Sequence, residues 1–206
     1  MKSSFISEET YQMTGQFTPD NAALVLIDHQ VGTSHFIFTL PREVSLQNAV
    51  MLAKAAKAYG MPVVLTSSQE DHIQGPLTPE LQAVLPDAFA KRVKRTGIVN
   101  AWADPNFRAA VVATGRKKLI MAAFTTDICL VFPTISAVQE GFDVLAVVDA
   151  SGSSYQVQED MARSRMLEAG VRLTTANTAV AELVQDWSTP QGSELIQLLI
   201  ATVPKA

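Results

Sequence analysis

The chain contains a single cysteine, Cys129, within the segment A-A-F-T-T-D-I-C-L-V-F of residues 122–132. A lone thiol cannot form a disulfide within the chain, so its position behind an apolar run, two threonines and an acid suggests another use. The thiolate is the nucleophilic form of cysteine, and a free thiol with a pKa near 8.5 is mostly protonated at neutral pH. A carboxylate that accepts the proton and a cation that stabilises the sulfur anion would together activate it.

Candidates for both partners occur elsewhere in the chain. Asp28 ends the apolar run A-A-L-V-L-I-D, and Lys94 and Arg95 end the segment A-K-R-V-K-R. Each residue alone also has a plainer interpretation. A single cysteine is usually a small buried hydrophobe, an acid after a strand often forms a turn, and a basic run is often a solvated surface. The three residues form a site only if the fold brings them together.

The chain alternates apolar runs with helical patterns, which predicts a parallel sheet covered by helices on both faces. The predicted strands are 22–28, 61–68, 90–95, 118–124, 142–150 and 171–175, and the predicted helices are 43–60, 104–115, 126–141, 156–169, 177–187 and 190–201. Pro133 lies inside one of these helices and should kink it or leave its first turn unwound. The predicted fold is a three-layer α/β/α domain with a six-stranded, mostly parallel sheet. Ligands bind such sheets at the carboxyl ends of the strands, which is where Asp28, Arg95 and Cys129 are expected.

Composition limits the classes of function. The 206 residues are 48% hydrophobic, which suits one domain, and we predict an N-terminal arm at 1–18 followed by a single domain at 19–206. Sixteen Lys and Arg are dispersed among twenty acidic residues, which argues against nucleic-acid binding. No apolar run approaches the roughly 20 residues that span a bilayer, and the N-terminus lacks an apolar signal core. We therefore expect a cytoplasmic protein that does not bind membranes.

Four segments resemble the isochorismatase-like cysteine hydrolases, most closely the YcaC-type bacterial hydrolases, over about residues 22–187. The segments are A-L-V-L-I-D-H-Q, K-R-T-G-I-V-N-A-W, L-I-M-A-A-F-T-T-D-I-C-L-V-F-P-T and A-V-Q-E-G-F-D-V-L-A-V-V-D-A-S-G. The resemblance implies a catalytic triad with Asp28 as general base, Cys129 as nucleophile and Arg95 as the basic member. Most of the family has lysine at the basic position, whereas the YcaC-type subgroup has arginine. Arginine stays charged at ordinary pH, so its role would be electrostatic. Lys94 would suit the usual chemistry, but strand alternation directs it to the opposite face.

The same resemblance implies a cis peptide bond between Phe124 and Thr125 and an oxyanion hole formed by the backbone N–H groups of Thr125 and Cys129. Elementary helix geometry favours the second donor, because the N–H groups of a first helical turn have no partner within the helix. Possible pocket walls are His29, Phe36, Trp102 and Phe124, although each of these is equally compatible with the core.

No metal or cofactor is predicted. Family members that act on nicotinamide hold a divalent metal through one Asp and two His after the second strand. Here that stretch contains Asp71 and His72 side by side. Adjacent residues on an extended chain point in opposite directions and make poor co-ligands.

The resulting hypothesis is a metal-independent cysteine hydrolase that cleaves a C–N bond of a small amide through a thioester. One alternative is isochorismatase-type hydrolysis of a small enol ether, in which the thiol is dispensable. The other alternative is a non-catalytic oligomeric binding protein. The resemblance also implies a homo-oligomer, with the N-terminal arm and the segment after Trp187 as candidate contact elements.

Overall fold

A computed structural model describes residues 15–202. Its single sheet has six strands in the order β3-β2-β1-β4-β5-β6, and every neighbouring pair is parallel. The strands are β1 Ala22–Ile27, β2 Val63–Ser68, β3 Val93–Arg95, β4 Lys118–Ala123, β5 Asp143–Val147 and β6 Arg172–Thr174. The predicted α/β class and six-stranded sheet are confirmed, and the described sheet is parallel throughout.

Helices cover both faces of the sheet. They are α1 Arg42–Ala58, α2 Pro79–Val84, α3 Pro86–Ala90, α4 Pro105–Val112, α5 Val131–Gln139, α6 Gln156–Glu168, α7 Ala176–Val184 and α8 Pro190–Thr202. The two short helices α2 and α3 were not predicted from the sequence. Each begins with a proline, which is a residue suited to the first helical position. None of the helices in the described part of the chain is long and apolar enough to cross a membrane.

The unbroken apolar run of β1 is explained by two separate cores. Leu24 and Leu26 face the core formed with α1 and α7, whereas Val25 and Ile27 face the core formed with α4, α5 and α6. All six residues of the strand are buried. Burying one such aliphatic side chain contributes about 1.5–3 kcal/mol, so this strand is fixed firmly at the centre of the sheet.

Phe17, near the end of the predicted arm, packs against the rest of the domain. Phe17, assigned to the arm from sequence, is fully buried, and the Lys118 ammonium and Arg172 guanidinium each lie 4.8 Å from its ring centre. Its N–H donates to the Glu182 carboxylate at 2.7 Å. Residues 1–14 of the predicted arm lie outside the described residues.

The helix that carries Cys129 begins irregularly. Residues Thr126–Leu130 form a π-helical turn, in which the Leu130 N–H donates to the Thr125 carbonyl at 3.0 Å. The regular helix α5 starts only at Val131. Pro133 lacks the N–H that would bond back into this turn, which agrees with the predicted disturbance of the first turn. The cysteine therefore lies in a widened turn directly after β4.

Candidate active site

Three strand ends bring the predicted triad to one edge of the sheet. Asp28 follows β1, Arg95 is the last residue of β3, and Cys129 lies in the π-helical turn after β4. Because β2 pairs with both β1 and β3, the parallel register aligns these ends. The Arg95 guanidinium donates through Nη2 to both carboxylate oxygens of Asp28. This pair is almost completely shielded, with 1% of the Arg95 and 5% of the Asp28 side chain exposed.

Local backbone geometry fixes both members of the ion pair. Asp28 has a φ of +56°, a left-handed conformation that a short polar side chain tolerates better than most, and its N–H donates to the Thr66 carbonyl at 2.9 Å. Arg95 Nε donates to Thr66 Oγ1 at 3.0 Å, and its Nη1 donates to the Ile98 carbonyl at 2.7 Å. The guanidinium is therefore held from three sides and cannot easily leave the carboxylate.

The structure distinguishes Arg95 from its neighbour. The Lys94 side chain is 62% exposed, and its Nζ lies 3.0 Å from Glu70 Oε2 on the outside of the sheet edge. Strand alternation predicts this separation. Arg95 is therefore the cation that faces Asp28.

The Cys129 thiol interacts with both members of the ion pair. Burial raises the pKa of Asp28 above its ordinary value, and Arg95 together with a hydrogen bond from Cys129 partly offsets this increase. Burial and the Asp28 charge raise the pKa of Cys129 well above its ordinary value, while a hydrogen bond with the Thr125 backbone and the Arg95 charge lower it. The resting thiol is thus protonated, beside a carboxylate that is more basic than usual.

The two predicted oxyanion donors have different surroundings. The Cys129 N–H donates to the Thr125 carbonyl at 2.9 Å, so it is not the unpaired first-turn donor that the sequence suggested. The reason is that Thr125 precedes the turn, so Cys129 is the first position whose N–H reaches back four residues to a carbonyl. The Thr125 N–H donates to no carbonyl within residues 15–202, and its hydrogen bond with the thiol favours the thiolate. The Phe124–Thr125 peptide bond is cis, as the resemblance implies.

A cavity of about 440 Å³ lies over these groups, and Asp28, Arg95, Thr125 and Cys129 are all part of its wall. Its volume is in the range of small-molecule sites. Phe36 also lines it, as predicted. A second groove of about 490 Å³, between α1 and α2, contains Glu43, Lys54 and Glu80 but no nucleophile, so we assign the site to the first cavity.

The other three predicted wall residues belong to the core, which corrects the sequence interpretation. The His29 ring is fully buried and lies 4.2 Å from the Phe124 ring centre at an interplanar angle of 40°. Its Nε2 contacts the Ala150 carbonyl at 3.0 Å. Trp102 packs edge-on against the Phe142 ring at 5.3 Å. Proximity to the triad in sequence was misleading, because the side chains of His29, Trp102 and Phe124 are buried in the core and do not line the cavity.

Sequence reasoning missed most of the cavity wall. The loop after β2 contributes Gln69, Ile73 and Gln74, the loop after β3 contributes Ile98 and Val99, and the segment around Cys129 contributes Asp127 and Ile128. Several of these residues lie inside the motifs T-G-I-V-N-A-W and T-T-D-I-C. Their position within these motifs was the one feature of the sequence that could have identified them as wall residues, since loop conformation does not follow from the pattern of residue types.

Metal ligands are not clustered at this site. Asp71 and His72 are both exposed, and no group of three His, Cys, Asp or Glu side chains within residues 15–202 is arranged to hold an ion. The absence of a metal requirement remains a prediction.

Comparison with known proteins agrees with this geometry. The isochorismatase domain model matches residues 22–178. The chain belongs to the isochorismatase family. It is 39% identical over 168 residues to the probable hydrolase YcaC of Escherichia coli, covering 82% of this chain and 80% of that protein. The family resemblance seen in the sequence is therefore confirmed, and membership of this family makes the chain a hydrolase.

Two solved structures of isochorismatase-family proteins are similar along most of the chain. YcaC from Pseudomonas aeruginosa, with hexane-2,5-diol and covalent acrylamide, is 37% identical with a TM-score of 0.86, covering 92% of this chain and 94% of that one. E. coli YcaC, an octameric hydrolase of unknown specificity, is 36% identical with a TM-score of 0.82, covering 90% and 95%. The predicted fold and subgroup are confirmed by both.

Proposed function

We propose that this protein hydrolyses the C–N bond of a small amide through a thioester on Cys129. The observation that carries the proposal is the meeting of a thiol, a buried carboxylate and a buried guanidinium on one wall of a ligand-sized cavity. Covalent acrylamide in the P. aeruginosa relative supports the choice of amide-type compounds as probes.

In the proposed first half-reaction, Cys129 Sγ attacks the amide carbonyl carbon while its proton moves to Asp28. The elevated pKa of Asp28 suits this step, because a base with a pKa nearer to the operating pH is a more effective proton acceptor and donor. The C–N bond then breaks, the amine leaves with the proton from Asp28, and the acyl group remains as a thioester. Arg95 stays charged and stabilises the sulfur anion without transferring a proton.

In the second half-reaction, water attacks the thioester and gives one proton to Asp28, which returns it to the departing thiolate. The products are a carboxylic acid and ammonia or an amine, so one amide and one water are consumed. The Thr125 N–H is the principal oxyanion donor, because it is not committed to a carbonyl. The Cys129 N–H contributes by donating to the oxyanion and to the Thr125 carbonyl at the same time.

Ammonia release from a panel of small primary amides tests the proposal. The wild type should release ammonia from at least one amide, and Cys129→Ala should release none above background. Full turnover by Cys129→Ala would refute the thioester route and favour enol-ether hydrolysis, for which the thiol is dispensable. A folded wild type that hydrolyses no amide, and whose Cys129 resists iodoacetamide both at pH 7 and at an alkaline pH that ionises the thiol, would favour the non-catalytic binding protein.

We also propose that the chain forms a homo-oligomer, since the E. coli relative is octameric. Helix α8 after Trp187 is the candidate contact element within the described residues. Light scattering at micromolar concentration should give a mass of at least twice 22.2 kDa, and a monomer would contradict the proposal.

A further inference from the structure

The cavity wall combines a negative charge balance with an apolar rim. Its ionised side chains are Asp28, Arg95 and Asp127, and no other cation lines it among the described residues. The single positive charge of Arg95 is already paired with Asp28. Transfer of the thiol proton to Asp28 moves charge within the site but leaves the total at one negative charge, that of Asp127.

Cations other than Arg95 lie outside the cavity wall among the described residues. The Arg165 guanidinium lines an adjoining groove, which also includes Asp127, and lies 5.2 Å from the Phe132 ring centre. The N-terminus of α6 reaches the cavity through Ser154 and Gln158, but the N–H groups of its first turn at Gln158 and Glu159 already donate to the Tyr155 carbonyl. A carboxylate entering the cavity would therefore lose its water and meet the Asp127 charge without gaining an unpaired cation in return.

The rim itself is apolar and open. Five large hydrophobic side chains line the cavity while remaining partly exposed, from 40% for Ile98 to 79% for Ile73. The five are Phe36, Ile73, Ile98, Val99 and Ile128. They come from four separate segments, so their convergence is a property of the fold and not of one hydrophobic stretch. Exposed apolar side chains gathered at one place mark an interaction site, and their position at the mouth of a ligand-sized cavity favours a ligand.

We infer that the site selects uncharged amides with an apolar acyl group and rejects amides that carry a carboxylate. This inference rests on the proposed function and narrows it to a substrate class. Asp127 is the residue that sets the discrimination, since its charge is the one left unbalanced at the cavity. Its carboxylate accepts a hydrogen bond from Thr125 Oγ1 at 2.6 Å, which holds it beside Thr125 in the cavity wall.

Two alkylating agents of nearly equal size provide the test. Iodoacetamide and iodoacetate differ by one negative charge, and the ratio of their rates at Cys129 cancels the intrinsic reactivity of the thiol. Relative to the ratio for N-acetylcysteinamide, the wild type at low ionic strength should favour iodoacetamide by about a further tenfold, as expected for one nearby unpaired charge. Asp127→Asn should return the ratio towards that of the free thiol, and Gln74→Lys should shift it towards iodoacetate.

A matched control removes the same charge elsewhere: Glu168→Gln, on the last turn of α6, should leave the ratio unchanged. The second arm compares hexanamide with its ω-carboxylate analogue, adipamate, and kcat/KM should be at least tenfold higher for hexanamide. Equal ratios for Cys129 and the free thiol, or an unchanged ratio in Asp127→Asn, would overturn the substrate class alone. Failure of both reagents to modify Cys129, even at an alkaline pH that ionises the thiol, would instead refute the proposed function together with this inference.

Discussion

The buried ion pair between Arg95 and Asp28 allows a quantitative prediction. Replacing Arg95 by Met removes the partner of a carboxylate that is 5% exposed, together with the hydrogen bond to the Ile98 carbonyl. Leaving one member of a buried pair unpaired costs about 3–5 kcal/mol. We therefore expect the free energy of unfolding of Arg95→Met at pH 8 to fall by about this amount, a large fraction of the roughly 5–15 kcal/mol typical of a domain.

The loss of unfolding free energy in Arg95→Met should depend on pH in a defined direction. Burial already raises the pKa of Asp28, and loss of Arg95 raises it further, above the value in the unfolded chain. A carboxyl group with a raised pKa in the folded state is tolerated while it is protonated and destabilises the fold as the pH rises through that pKa. The stability difference between wild type and Arg95→Met should therefore be smaller at pH 5 than at pH 8.

Urea denaturation at the two pH values measures the effect. The double variant Arg95→Met/Asp28→Asn should recover part of the lost stability, because it removes the orphaned charge. Arg108→Met is the matched control: Arg108 forms an ion pair with Glu140 at 2.8 Å on the surface, and its loss should hardly change the denaturation midpoint. A pH-independent deficit, with a double variant no more stable than the single one, would refute the reasoning.

Three further predictions concern neighbouring residues. Burial lowers the pKa of His29 from 6.5 to about 4, so the unfolded chain binds this proton first as the pH falls. The free energy of unfolding of the wild type should thus fall by about 3 kcal/mol more than that of His29→Gln between pH 6.5 and 4. An equal fall in the two proteins would contradict this prediction. Gln30→Ala loses the side-chain hydrogen bonds to Ser68 and Gly75 at the two ends of the loop after β2. The free energy of unfolding, measured in urea, should fall by about 2–4 kcal/mol. A fall below about 0.5 kcal/mol would show that these hydrogen bonds do not stabilise the loop. Asp28→Asn removes a charge that raises the pKa of Cys129, so iodoacetamide should alkylate Cys129 faster at pH 7 than in the wild type. Amide hydrolysis should fall about 10²–10⁴-fold, because the proposed general base is lost. Slower alkylation of Cys129 would contradict the charge effect assigned to Asp28.

The triad could be predicted from sequence because strand geometry determines where each residue lies. The apolar run of β1 needs a core on each face, so it must be central, and parallel pairing then aligns its carboxyl end with those of β2 and β4. Alternation along β3 predicted that Arg95 and Lys94 point to opposite faces, and the family resemblance was needed to choose Arg95. These inferences depend on backbone periodicity, which a sequence displays directly.

The cavity wall could not be predicted because tertiary contacts determine its loops. Asn100 accepts a hydrogen bond from the Trp102 N–H at 3.1 Å and donates to Ser136 Oγ at 3.0 Å, which fixes the turn that sends Trp102 into the core. The loop after β2 is held by Gln30 and by close packing on Gly32, where an added Cβ would lie 1.8 Å from the Ile73 carbonyl oxygen. Neither constraint is visible as a pattern of residue types.

The most direct test of the account is to locate the acyl group during turnover. A slowly hydrolysed hexananilide is mixed with the protein, the reaction is quenched in acid, and the peptide containing Cys129 is analysed by mass spectrometry. The account predicts a hexanoyl adduct on Cys129 and none in Cys129→Ser. Aniline release at the wild-type rate without any acylated Cys129, or with the acyl group on another residue, would contradict it.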